Sequence, residues 1–193
     1  MTINDLDLTK TYTYSDYLTW QFDEYVELIK GKIFRMSPAP MRRHQHVSNK
    51  LSTIFSNYLE GKTCNIYSAP FDVRFTKTNG TNETIQSVVQ PDISVICDEA
   101  KLDDYGCIGA PDLIVEIISK GSAKKDLDEK FHLYESFGVL EYWVVFPLEK
   151  YVSVYDLKGE KFELRANYDQ GQKIPVGIFS GFDVRVDQIF AGI

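Results

Sequence analysis

A mixed α/β fold, with a mixed central sheet flanked by helices, is the architecture this sequence predicts, and three observations predict it. The segments DISVIC (92–97) and LIVEII (113–118) are almost continuously apolar, as strands covered on both faces are. The stretch MRRHQHVSNKLSTIFSNYLEG places Val47, Leu51, Ile54, Phe55, Tyr58 and Leu59 at helical intervals. The order strand, strand, helix, strand through the middle of the chain is that of a mixed sheet with helices packed on it.

The elements follow in order. TYSDYLTW predicts a short amphipathic helix capped by Ser15. YVELIKGKIFRM carries two short alternating runs about Lys30-Gly31, the mark of an N-terminal hairpin. The first long helix follows Pro38 and Pro40, with Gly61 at its C-terminal cap position. Strands are expected in CNIYSAPFDVRF, VVQPDISVIC and GAPDLIVEIIS. A second helix is expected over SAKKDLDEKFHLYESFG, with Ser122 as N-cap and Gly138 closing it. EYWVVFP is a further strand, and YVSVYDLKGEKFELRANY a C-terminal β-hairpin turned near Lys158-Gly159. GIFSGFDVRVDQIF ends the chain as a strand or short helix.

The chain has 193 residues, which predicts a single domain over 1–193. At that size about 70% of the unfolded surface is buried, so neither disulfide nor structural metal is needed for folding. The three cysteines, Cys64, Cys97 and Cys107, lack any CxxC spacing, so a zinc site or disulfide framework is not expected and Cys97 reads as a buried thiol. The polar start, MTINDLDLTK, does not read as a signal peptide, and no apolar stretch is long enough to span a bilayer. A cytoplasmic location is the simplest expectation. The net charge of −7 argues against nucleic-acid binding by sum alone. The distribution argues the other way. From Leu28 to Leu59 there is no acidic residue, while Lys30, Lys32, Arg35, Arg42, Arg43, Lys50, His44 and His46 fall inside that window. One basic face on an acidic protein is one reading; an ordinary fluctuation on a solvated surface is the other.

Asp92 and Glu116 lie symmetrically about position 104. If their segments pair antiparallel about that point, the two acids face each other with Cβ atoms about 5 Å apart. Two carboxylates so placed can hold a hard divalent cation such as Mg²⁺. Glu116 interrupts an apolar strand, so its charge must be paired, neutralised or bound to a metal. A salt bridge to a core Lys or Arg is the competing explanation, and for Asp92 it is a plain strand start after Pro91. Asp112, after Pro111, is excluded as a co-ligand. It sits four residues from Glu116 on the same strand, about 13 Å away.

With those residues in place, the runs QPDISVIC, GAPDLIVEIIS and KKDLDEKFHLYESFGVLEYWVVFP resemble the bacterial Uma family of predicted endonucleases, assigned to the PD-(D/E)xK superfamily. YVELIKGKIF, HQHVSNKL and APFDVRF match as well, and the resemblance covers roughly residues 14 to 187. It implies a restriction-endonuclease-like core and Mg²⁺-dependent phosphodiester hydrolysis, with Mn²⁺ as substitute. Asp92 becomes the PD aspartate and Glu116 the following acid. Duplex DNA is the implied substrate, and a homodimer would cut both strands. The third motif position is Ile118 rather than Lys. Lys130 is the candidate replacement: the resemblance places a recurring lysine there. Its helical phase, near Leu127 on a face shared with Phe131 and Tyr134, also turns it toward the sheet. An i,i+4 pair with Asp126, or snorkelling, competes. Glu27 could be a third metal ligand, or it could pair with a lysine. His44 and Arg43 at the first helix, and Lys124 and Lys125 at the second, are candidates for contact with nucleic-acid phosphates; a solvated surface is the alternative for each. The rival function is a catalytically inactive nuclease-fold module that binds nucleic acid or a protein partner.

Overall fold

Local chemistry sets most of the elements in the computed structural model, which describes residues 3–36, 41–77, 80–119 and 125–193. Helix α1 (Tyr14–Tyr17) is capped by Thr13, not Ser15. Thr13 and Asp16 exchange bonds with each other's backbone N–H in a capping box, which satisfies two orphan donors at once. Strands β1 (Val26–Ile29) and β2 (Lys32–Arg35) form the expected hairpin, in which Lys30 and Gly31 both take positive φ. Helix α2 (Arg42–Leu59) buries Val47, Leu51, Phe55 and Leu59, one residue per turn, and ends before Gly61, which has φ +73°. Each such side chain contributes roughly 1.5–3 kcal/mol of burial.

Two of the expected single strands are each divided between two sheets. CNIYSAPFDVRF becomes β3 (Asn65–Ser68) and β4 (Val73–Arg74), and VVQPDISVIC becomes β5 (Val88–Val89) and β6 (Ile93–Ile96). Short β7 (Leu102–Asp103) and β8 (Gly106–Ile108) lead to β9 (Leu113–Ile117). A π-helical turn over Lys125–Glu129 runs into α3 (Lys130–Phe137), and Gly138 closes it in the left-handed conformation. Ser122 lies outside the described residues. Then come β10 (Glu141–Phe146), the long hairpin β11 (Tyr151–Lys158) and β12 (Lys161–Tyr168), the ribbon β13 (Lys173–Pro175) and β14 (Asp183–Arg185), and α4 (Val186–Phe190). The last segment is thus both strand and helix.

The main sheet has the order β12-β11-β10-β9-β6-β3, and it is mixed: β9 and β10 are parallel and their neighbours antiparallel. A second sheet runs β2-β1-β5-β4-β8-β7. Successive residues of β9 face opposite cores. Leu113, Val115 and Ile117 pack with Val47, Leu51 and Phe55 of α2, whereas Ile114 packs with Leu133 and Tyr134 of α3 and with Val73 and Val89 of the second sheet. This double coverage is why β9 reads as unbroken apolar sequence. Leu127, expected on the inner face of the second helix, is exposed. Cys97 is not a thiol: it is bonded to Cys64 across the β3–β6 edge, and Cys107 is the free, buried cysteine. No described helix is long and apolar enough to cross a membrane.

Candidate active site at the junction of two sheets

The chain leaves the second sheet at Val89, passes through Gln90-Pro91-Asp92, and enters the main sheet at Ile93. That crossing puts Asp92 between acids of both sheets. On one side β1 pairs with β5, which sets Glu27 next to the crossing. On the other, β6 pairs with β9 as Ile93↔Val115, and one further step of the same register sets Asp92 opposite Glu116. Opposed residues share a sheet face. The Asp92 side chain is 19% exposed; its Oδ2 accepts from the Ile117 backbone N–H at 2.7 Å and lies 3.2 Å from His44 Nε2. No hydrogen bond from a described residue reaches its Oδ1. Asp112 does the mirror-image task at the other end of the ladder. Its Oδ2 accepts from the Cys97 N–H at 2.7 Å, and its own N–H bonds Val95 O. The two Pro-Asp pairs are therefore alike in local structure, and only the first lies beside Glu116.

Glu116 is buried in the middle of this arrangement. Its Oε1 accepts from Lys130 Nζ at 2.8 Å and from the Tyr134 hydroxyl at 2.6 Å. Both donors come from α3, four residues apart and so on one face. Lys130 Nζ also lies 2.9 Å from Glu27 Oε1, which accepts the Gln90 N–H at 3.0 Å. Lys130 thus bridges the two sheets through one carboxylate of each. Burial, and then the charge of Glu116, push the Tyr134 phenol well above the usual tyrosine range, so it stays a donor. Behind Glu27, the Gln90 amide donates to Asp72 Oδ1 at 2.8 Å, and burial raises the Asp72 carboxyl.

One ammonium is held between two carboxylates here, Glu27 and Glu116, and the β6–β9 register sets Asp92 across from Glu116. Among the described residues, no three His, Cys, Asp or Glu side chains converge as a ready-made metal cluster. Mg²⁺ does not require one: it commonly takes one or two carboxylates and keeps water or phosphate for the rest. Asp92 and Glu116 fit that donor set, whereas the structure brings Glu27 to Lys130.

Of the residues singled out in the sequence, Lys130, Glu116 and Glu27 are in contact with one another, His44 is in contact with Asp92, and the β6–β9 register relates the two groups. His44, read from sequence as a phosphate contact, a proton-transfer group or a surface residue, is in contact with Asp92. Arg43 is exposed on α2. Lys124 and the side chain of Lys125 fall outside the described residues, as does that of Asp126, the alternative partner for Lys130. Tyr134 and Gln90 were not foreseen. The signal for Tyr134 was present: a tyrosine on the same helix face as Lys130 needs a partner for its hydroxyl once buried. Gln90 gave none, because its main contact is made by its backbone.

Three comparisons bear on this site. A family model, Uma2, described as "Putative restriction endonuclease", matches residues 14–187. An uncharacterised protein of Synechocystis sp. is 28% identical over 181 residues, covering 92% of this chain and 90% of its own. A crystal structure from Anabaena variabilis, described as a putative nuclease, superposes with a TM-score of 0.72 at 20% identity, over 92% of this chain and 97% of that one. The fold is the restriction-endonuclease-like one expected from the sequence.

Proposed function

The chain belongs to the Uma2 family, and on that premise we propose that it is a Mg²⁺-dependent endonuclease hydrolysing phosphodiester bonds in duplex DNA. The observation that carries the proposal is the bond from Lys130 to Glu116 where the two sheets join, with Asp92 set across from Glu116 by the β6–β9 register. Asp92 and Glu116 would hold the metal, which when bound polarises the phosphoryl group and lowers the pKa of its water. Asp92 is oriented for this by the Ile117 N–H and His44, which both engage Oδ2. Lys130 supplies the cation that Ile118 cannot. It reaches Glu116 from α3 rather than from β9, and its ammonium can orient the attacking water or offset charge building on phosphorus. Glu27 and Tyr134 are positioning residues: one anchors Lys130 and the other anchors Glu116. Cutting both strands takes two such sites, hence a homodimer on DNA.

Calorimetry and plasmid cleavage test this together. Wild type is expected to bind Mg²⁺ or Mn²⁺ and to nick plasmid with either. Glu116→Ala loses the binding heat, and Asp92→Asn and Lys130→Met each lose cleavage by at least about 10²-fold. Equal, negligible metal binding by wild type and Glu116→Ala would overturn the proposal in favour of an inert nuclease-fold module.

A further inference from the structure

Helix α2 shows two unlike faces. Val47, Leu51 and Phe55 face the sheet. At about 100° per residue, Arg42, His46, Asn49 and Lys50 face the opposite way. There they line an open groove of about 680 Å³, completed by Gln45 and by Gln188 of α4. His46 Nε2 lies 2.6 Å from Ala191 O, which ties the base of the groove to the end of α4. None of the lining residues is acidic. This holds in a chain with 28 acidic and 21 basic residues, so a negatively charged partner is repelled by the molecule as a whole and favoured at this groove. Asn49, Gln45 and Gln188 add neutral hydrogen-bonding groups, the kind that contact phosphate and sugar without reading sequence.

The groove starts at the end of α2 that also carries the site. Arg42 precedes His44 by two residues, about 200° around the helix, so the groove lies on the face turned away from Asp92, and Met41, the N-cap, offers the first amides of the helix no side-chain acceptor. From Arg42 to Lys50 the helix rises about 12 Å, the axial rise of roughly three to four nucleotides of one strand. We propose that this groove grips the sugar–phosphate backbone of the nucleic acid beside, not at, the bond to be cut, with Arg42 and Lys50 each neutralising a phosphate. The inference rests on the nuclease reading above and extends it to how the substrate is held.

The test is fluorescence anisotropy with a labelled duplex, the full chain, and Ca²⁺ in place of Mg²⁺ so that binding is read without cleavage. Arg42→Glu/Lys50→Glu is compared with wild type and with Lys158→Glu, a charge reversal on the far β11–β12 hairpin. The double variant should bind at least about tenfold more weakly, and its plot of log affinity against log salt should be shallower by about two. Lys158→Glu should match wild type, and poly-glutamate should compete poorly. Thermal melts confirm that the variants fold. If wild type binds and the double variant binds with the same affinity and slope, the groove proposal falls while the nuclease reading stands. If poly-glutamate competes as well as duplex, the groove is an acidic-protein site and the proposal is overturned. If wild type binds no nucleic acid at all, both readings fall.

Discussion

At the scale of single residues, Lys130 decides most. It is 3% exposed and pairs with two carboxylates that are themselves buried. Removing one partner of such a set leaves uncompensated charge in a dry place, at a cost of about 3–5 kcal/mol. Lys130→Met should therefore lower the free energy of unfolding by that amount when no metal is present. Adding Glu27→Gln should recover part of the loss, because one stranded charge is gone. Urea unfolding of the single and double variants checks this, and Mn²⁺ should narrow the gap if Glu116 is a ligand. Equal stabilities for Lys130→Met and wild type would show that the lysine does not compensate these charges. Tyr134→Phe is the milder change. It deletes a hydrogen bond to a charged acceptor, worth roughly 1.5–3 kcal/mol, and leaves Lys130 in place. It should weaken metal binding by loosening Glu116 without abolishing cleavage, a split that calorimetry and plasmid assays read separately.

Among elements, the β6–β9 ladder offers an internal control. Asp92 and Asp112 each follow a proline, and each caps one end of the ladder by accepting a backbone N–H at 2.7 Å. Asp112→Ala should cost about 1–3 kcal/mol, the penalty of an orphaned buried donor, and leave metal binding unchanged. Asp92→Ala should carry a similar structural cost and also lose the metal. Equal loss of metal binding in both would show that the ladder, not the carboxylate, was being measured. The same pair shows what the sequence could and could not reveal. The pairing of Asp92 with Glu116 was legible only as a condition, antiparallel strands symmetric about position 104, and the β6–β9 ladder has that register; strands apolar on both faces do not fix it themselves, because a one-residue slip still buries apolar side chains. The bends at Ala69-Pro70 and Gln90-Asp92 were not legible. Each bend carries a proline, Pro70 and Pro91, but a proline looks the same in sequence whether it marks an irregularity in one strand or a passage between two sheets. Helix α3 illustrates a right direction reached by a wrong anchor. Lys130 does point inward, but Leu127, used to fix its phase, is exposed, because a π-helical turn over Lys125–Glu129 shifts the register before α3 begins. Such turns recur at functional sites, and periodicity at 3.6 residues per turn cannot foresee them. The Cys64–Cys97 bond was missed for a related reason: spacing along the chain carries no information about residues adjacent across two strands.

For the molecule as a whole, burial of weak acids sets an alkaline limit. The Tyr14 phenol and the Cys107 thiol are both pushed up to about 12, in each case by burial first. Tyr134 is held well above its ordinary value for the same leading reason. In the unfolded chain these groups ionise near their ordinary values, 9.0 for the thiol and 10.0 for the phenols. A folded pKa above the unfolded one means that the unfolded state releases its proton first as pH rises. Their contribution is thus complete below the unfolded values and is lost above them. Each group then removes about 1.4 kcal/mol of stability per pH unit. Urea midpoints should hold up to about pH 9, fall first through Cys107, and fall more steeply past about pH 10 as Tyr14, Tyr17 and Tyr134 join. Cys107→Ala should remove the earlier, shallower part of the decline, and Tyr134→Phe should flatten the later part by one group's share. Tyrosinate absorbance gives the independent check, since these three phenols should ionise together with unfolding, after exposed ones such as Tyr25 and Tyr105. Ionisation of all twelve phenols, buried as well as exposed, with urea midpoints unchanged from about pH 9 to about pH 11, would mean that the buried phenols open to solvent without loss of the fold.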